Sequence, residues 1–237
     1  MKESADPAIP AATLVLYREA GPGPATHLMI KRSAGMAFAA GALVFPGGRV
    51  DDTDREIAAD ATLVSEMPAD ADDSAARVTA IREAIEETGL AVAVHPQPDT
   101  ALISAWRAAL KAQVSFAKLL RNAQTTLNLA ELVPFSRWSP RQQLHRRFDT
   151  RFYVAKFAGD AGVEVDEHEA SQHLWVTARD AMAGARAGTH LIIFPTMRNL
   201  ERLAEHASFD AVTRHLENNP VKLISPRVME FGAHLVF

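Results

Sequence analysis

The chain has 237 residues, with 25 Lys+Arg against 29 Asp+Glu, nine His and no cysteine. Its 48% apolar and 23% charged residues can fill a core, at a length that suits one domain with insertions or two small ones. A formal charge of −4 argues against a general nucleic-acid binder, and the lack of Cys excludes disulfides, thiolate catalysis, iron–sulfur clusters and cysteine-ligated zinc.

The opening MKESADPAIP carries no apolar signal segment, and no stretch reaches the roughly 18 apolar residues of a membrane span, so a cytoplasmic protein without membrane contact is expected. Ala12–Tyr17 and His27–Lys31 read as two strands around the turn-forming Gly21-Pro22-Gly23-Pro24. Leu43–Phe45 runs into Pro46-Gly47-Gly48, a turn that calls for residues without a Cβ constraint. From Asp51 to Ser74 the chain is acidic and Ala-rich, and Pro68 breaks any single helix. Asp73 or Ser74 can N-cap a helix that runs to Thr88 and stops at Gly89. A short strand is expected at Leu90–Val94, a helical block at about Thr100–Ala123, and a short helix at Leu127–Val133. Arg151–Phe157 and His173–Val176 read as strands, Arg179–Ala183 and Pro195–Ala207 as helices. Interleaved strands and helices predict an α/β or α+β fold with a mixed sheet.

The segment Arg82-Glu83-Ala84-Ile85-Glu86-Glu87-Thr88-Gly89-Leu90 carries the most chemistry. Val78, Ile81 and Ile85 form one apolar stripe, and Glu83, Glu86 and Glu87, spaced i, i+3, i+4, share the opposite side. Three carboxylates this close repel one another, and Arg82, at i−4 from Glu86, neutralises only part of the cluster. A divalent cation is a natural partner, since Mg2+ takes carboxylate oxygens, keeps waters and completes its shell with substrate phosphates. A solvated acidic helix face is the alternative.

The run resembles the second half of the Nudix box, G-x5-E-x7-R-E-U-x-E-E-x-G-U with U apolar, and Phe45-Pro46-Gly47-Gly48-Arg49-Val50-Asp51 resembles its glycine turn. The spacing departs from the box: Arg82 follows Gly48 by 82−48 = 34 positions instead of 14, an insertion of 20 residues. The early box glutamate is absent at its usual distance from the arginine, where Ser74 stands, and Glu56, Asp72 and Asp73 are the candidates to replace it. An elongated box of this kind is similar to the branch containing the peroxisomal coenzyme A diphosphatases. Lys31-Arg32-Ser33, Trp138-Ser139-Pro140, the run Arg147-Phe148-Asp149-Thr150-Arg151-Phe152 and Phe194-Pro195-Thr196 fit that branch. Of the coenzyme A signature, Gly41-x3-Phe45-Pro46-Gly47-Gly48 is present, but its arginine is replaced by Ala37.

The resemblance implies a single Nudix domain over residues 1–237, an α/β/α sandwich with a mixed sheet, its box split into 46–51 and 82–90 and insertions at about 52–73 and 100–130. It implies Mg2+ or Mn2+ held by Glu83, Glu86 and Glu87 with the carbonyl of Gly47 or Gly48, Arg82 orienting a box glutamate, and Glu83 or Glu86 as the base. Arg32, Arg147 and Arg151 are candidates for substrate phosphates, because the arginine fork matches phosphate oxygens. Glu169 is a possible extra acid, in a stretch where Glu164, Asp166 and Glu167 also suit a solvated loop. The expected activity is hydrolysis of a small nucleotide-type diphosphate, with coenzyme A or acyl-coenzyme A first and ADP-ribose or NADH second. A catalytically silent nucleotide-binding Nudix domain is the non-enzymatic alternative. Trp106 and its helix are expected to cover the sheet or to form a homodimer contact. No H-E-x-x-H, G-x-G-x-x-G, Walker loop or G-x-S-x-G occurs, and the terminal His-Leu-Val-Phe is not a peroxisomal address.

Overall fold

A computed structural model of the chain describes residues 7–33, 39–140, 147–158, 163, 170–226, 229–231 and 234–236. In chain order the elements are β1 (Ile9–Tyr17), β2 (His27–Arg32), β3 (Leu43–Val44), β4 (Gly47–Arg49), α1 (Asp52–Ala59), β5 (Val64–Ser65), α2 (Ala71–Thr88) and β6 (Val94–His95). There follow α3 (Thr100–Lys111), α4 (Phe116–Ala123), β7 (Thr126–Asn128), a 3-10 turn (Leu129–Glu131), β8 (Val133–Trp138), β9 (Phe148–Lys156) and β10 (Ala170–Val176). The chain continues through α5 (Ala178–Arg186), α6 (Phe194–Leu203), α7 (Phe209–Asn218), β11 (Leu223–Ile224), β12 (Met229–Phe231) and β13 (His234–Val236).

Side-chain alternation along two central strands creates the layers. Ala12, Leu14 and Leu16 of β1 enter one core while Val15 and Tyr17 enter the other; Tyr153 and Ala155 of β9 join the first, Phe152 and Val154 the second. These strands lie side by side in a five-stranded sheet of order β11-β8-β9-β1-β4, with β1 parallel to β9 and antiparallel to β4. A three-stranded sheet, β10-β2-β3, adjoins it. Against the first core α2 lays Val78, Ile81 and Ile85, all completely buried. Against the second lie Ala181 and Met182 of α5, Leu200 and Leu203 of α6, and Val212 and Leu216 of α7. The result is the expected α/β/α arrangement.

The inserted stretches widen the α2 side. β5, β6 and β7 make a small sheet in which Leu127 pairs with both Val64 and Val94. Trp106 of α3 and Phe116 of α4 meet edge to face at 6.0 Å inside the first core, where α3 packs on α2 and α4 on α1. The single helical block expected over Thr100–Ala123 is two helices, because the chain turns at Gln113 with φ 62°. The expected helix at Leu127–Val133 is instead β7 and a 3-10 turn, and the strand at Leu90–Val94 shrinks to Val94–His95. Asp70, rather than Asp73 or Ser74, caps α2, accepting from the backbone N–H groups of Asp72 and Asp73. At its other end Gly89 adopts φ 70° and bonds back to Ile85, a left-handed stop that glycine adopts without strain. Among the described residues no helix is long and apolar enough to cross a membrane.

Candidate active site

The glycine turn and the last turns of α2 are pressed together. In β4, Gly48 pairs with Ala12 of β1, and a Cβ placed on Gly48 would overlap the Glu83 carboxylate. A Cβ on Gly47 would overlap the Ala12 carbonyl. Both positions therefore demand glycine for space, not for an unusual backbone angle. The Gly47 N–H donates to Glu87 Oε2 at 2.9 Å, which ties the turn to the helix 40 residues later.

Arg82 is the hub of the acidic cluster. Its Nε and Nη2 donate to Asp54 Oδ1 and Oδ2, each at 2.8 Å, and Nη1 donates to Glu83 at 3.0 Å and Glu86 at 3.2 Å. Nη2 also reaches the Arg49 carbonyl at 3.2 Å, next to the glycine turn. Asp54 is fully buried and accepts further from Thr79 Oγ1 and from the Asp51 N–H. Burial works against the Arg82 charge, but the Asp54 hydrogen bonds and the charges of Glu83, Asp54 and Glu86 outweigh it and hold the guanidinium above its usual range. Burial pushes the Glu83 carboxyl up to about 7, against the pull of Arg82 and with the repulsion of Glu86. Three carboxylates within 3.2 Å of one guanidinium, and Glu87 beside them, make a surplus of negative oxygen that is buried at Asp54 and Glu87 and opens to solvent at Glu86.

That donor set suits a hard divalent cation. Among the described residues no three acidic or histidine side chains converge as a ready cage. Mg2+ does not require one, since it is commonly held by one or two carboxylates with water and substrate phosphates. The Glu86 side chain, 30% exposed, is the member of the cluster most open to solvent.

Residues 57–203, more than half of the chain, match the model of the NUDT19 Nudix domain. The chain belongs to the Nudix hydrolase family. A Caenorhabditis elegans protein bearing the name nudix hydrolase 7 is 26% identical over 88% of this chain, and the Xenopus laevis acyl-coenzyme A diphosphatase NUDT19 is 23% identical over 82%. The chain spans 65% and 64% of the length of those two relatives. The crystal structure of a NUDIX hydrolase from Alicyclobacillus acidocaldarius superposes with a TM-score of 0.77 at 26% identity, over 89% of this chain and 97% of that one.

Seen as a Nudix box, the site corrects one sequence expectation. The early acid is not missing: six positions after Gly48 stands Asp54, where the box has its first glutamate. The 20 extra residues fall between Asp54 and Arg82, 82−54 = 28 positions apart instead of 8, and so displace every count made backward from the arginine. The proposed replacements lie elsewhere. Glu56 is exposed, Asp72 pairs with Arg55 at the surface, and Asp73 binds Arg77, Arg151 and Tyr153. Ser74 sits at the start of α2, bonded to the carbonyls of Pro68 and Asp70.

The outlying candidates do not all gather at the box. Arg151 donates to Asp70 and Asp73 at 3.3 and 3.0 Å, at the opposite end of α2 from Glu83–Glu87. Arg147 precedes β9, where its carbonyl accepts from Ile9. Arg32 ends β2, its backbone bonded to Ala42 and Gly41 on the approach to the glycine turn. Glu169, Glu164, Asp166, Glu167 and Ala37 lie outside the described residues. One contributor carries no motif signal. Arg107 of α3, buried to 8% exposure, donates from Nε to the Glu86 carbonyl at 3.2 Å and packs against Gly89, so the second insertion braces the Glu83–Glu87 end of α2.

Proposed function

We propose that this Nudix domain hydrolyses a nucleoside diphosphate linked to a second moiety, with Mg2+ or Mn2+ held by Glu83, Glu86 and Glu87 and the Gly48 carbonyl. The observation that carries the reading is the Arg82 hub, which gathers Asp54, Glu83 and Glu86 beside a glycine turn too tight for any side chain. When bound there, the cation would neutralise charge on the diphosphate and acidify an attacking water. Glu83 and Glu86 are the two carboxylates placed to take the water's proton, and Arg82 holds both in one orientation. Glu87, anchored on the Gly47 N–H, keeps the turn against the helix. Water adds to one phosphorus as the bridging P–O bond breaks, giving two phosphate monoesters. No covalent link to the protein is needed.

Coenzyme A or acyl-coenzyme A is the proposed substrate. The half-signature Gly41-x3-Phe45-Pro46-Gly47-Gly48 and the activity named for the Xenopus relative support it. Arg32, adjoining that loop, is assigned to the substrate's phosphates, whereas Arg151 is assigned to α2 through Asp70 and Asp73. The test is cleavage of coenzyme A, acetyl-coenzyme A, ADP-ribose and NADH with Mg2+, beside Glu86→Gln and Glu83→Gln. Turnover of coenzyme A that both substitutions depress at least about 100-fold, as loss of a catalytic acid–base group does, supports the assignment. Preference for ADP-ribose or NADH would keep the reaction and overturn the substrate. Turnover unchanged in both variants would overturn the site.

A further inference from the structure

The helical layer opposite α2 holds a cavity of about 410 Å³, lined from β8, α6, α7 and the loop that leads into β11. Among the described residues its charged and titratable lining is Arg202, Lys222 and His215; two carboxamides, Asn218 and Asn219, stand among them, and no acid does. In a chain with more acids than bases, such a lining is selective for anions. Arg202 is held in place, with Nη1 on the Phe135 carbonyl at 3.1 Å and the guanidinium carbon 4.5 Å from that ring's centre. Among the described residues this is its one side-chain hydrogen bond, which leaves the rest of its fork for a ligand. Lys222 makes no ion pair among the described residues and is exposed at the rim. Glu205, the acid that acts on Arg202 from the end of α6, is not part of the lining.

We propose that this cavity is a second ligand site, for a small organic phosphate monoester, independent of the acidic box and of any divalent cation. The lining offers a planar fork and an ammonium, and the Asn218 amide has a second N–H beyond the one given to the Arg214 carbonyl; forks and ammonium groups are what phosphate oxygens accept from. The volume lies within the roughly 300–1,000 Å³ of small-molecule sites and far above what one inorganic anion fills, so the phosphate carries an organic body. Phe135 and Ile224 supply apolar surface for that body. Phe135 belongs to the core shared with α5, α6 and α7, whereas the box helix packs on the other, so the sheet separates the two sites.

The probe is phenyl phosphate, titrated calorimetrically into the full chain in EDTA, with inorganic phosphate and phenol as its two halves. Phenyl phosphate is expected to bind at least about tenfold more tightly than either half, because the charged and apolar contacts act together. Lys222→Glu, a reversal at an exposed position that leaves the core intact, and Arg202→Gln should each weaken it at least about tenfold. Glu86→Gln should leave it unchanged. Failure to bind phenyl phosphate, or binding indifferent to Lys222→Glu, would overturn the proposal. Binding lost in Glu86→Gln would also overturn it, by moving the phosphate to the box. Because no cation and no turnover enter the measurement, its outcome is separate from that of the hydrolase assignment.

Discussion

Replacing Asp54 by Asn keeps the shape of a fully buried side chain and removes its charge. The carboxylate accepts four hydrogen bonds: two from Arg82 at 2.8 Å, one from Thr79 at 2.8 Å and one from the Asp51 N–H at 3.0 Å. An amide has one oxygen for these donors and turns its own NH2 toward the others, so Arg82 loses its bidentate partner. Removing one member of a buried ion pair costs about 3–5 kcal/mol. With an unfolding entropy of roughly 2.1 cal/mol/K per residue over 237 residues, 1 kcal/mol moves the midpoint by about 2 °C, so Asp54→Asn should melt roughly 6–10 °C below the wild type. Glu56→Gln and Asp72→Asn touch only exposed groups and should stay within about 1 kcal/mol. Differential scanning calorimetry of the three variants decides the matter. A shift under about 2 °C for Asp54→Asn, or an equal one for Glu56→Gln, would refute Asp54 as the partner of Arg82.

Three further outcomes are expected. Gly48→Ala forces a methyl onto the Glu83 carboxylate, so it should lower the denaturation midpoint by the equivalent of about 1–3 kcal/mol and depress turnover with it; wild-type behaviour would show that the turn is not so tight. Arg107→Met removes the donor to the Glu86 carbonyl and a cation at the α2 C-terminus, costing about 1–3 kcal/mol in urea unfolding, and Arg107→Lys should recover only part. His27 is buried between Tyr17 and the Leu16 carbonyl, and burial pulls its pKa down to about 4, only partly opposed by that carbonyl. The folded state therefore refuses a proton that the unfolded chain accepts, so stability should be full above about pH 6.5 and fall by about 3 kcal/mol as the pH drops to 4. His27→Phe should flatten that part of the stability profile, which urea titrations at a series of pH values would show; an unchanged slope would assign it to other groups.

The acidic stripe was readable because it is local: i, i+3, i+4 spacing places Glu83, Glu86 and Glu87 on one face whatever the rest of the chain does, and Gly89 stops the helix. The interleaving of strands and helices gave only an α/β or α+β class; the α/β/α layering was implied by the resemblance to the Nudix box, and the structure builds it on alternation in β1 and β9. Asp54 was hidden by the direction of counting, since an insertion absorbed in the surface segment ahead of Asp70 shifts any register measured across it. Arg107 has no such register at all; only the packing of α3 on α2 brings it to Glu86. Likewise the two arginines around Phe148 look alike in sequence, and it is the position of Asp70 and Asp73 that ties up Arg151. Strands of two or three residues, such as β3, β4 and β11, are too short to show a period. The start of α7 did carry a signal, Ser208 as its cap with Phe209, Val212 and Leu216 spaced for one face.

Cleavage of a diphosphate at the cluster around Arg82 is followed best on phosphorus itself. Phosphorus-31 NMR spectra of coenzyme A, acetyl-coenzyme A, ADP-ribose and NADH, each with Mg2+, would be recorded over time with the wild type and with Glu86→Gln. With the wild type the diphosphate resonances of at least one of them should give way to phosphate monoester signals, and with the variant they should persist. Diphosphate resonances of all four that persist with both proteins, or that disappear equally with both, would rule the cluster out as the site of cleavage.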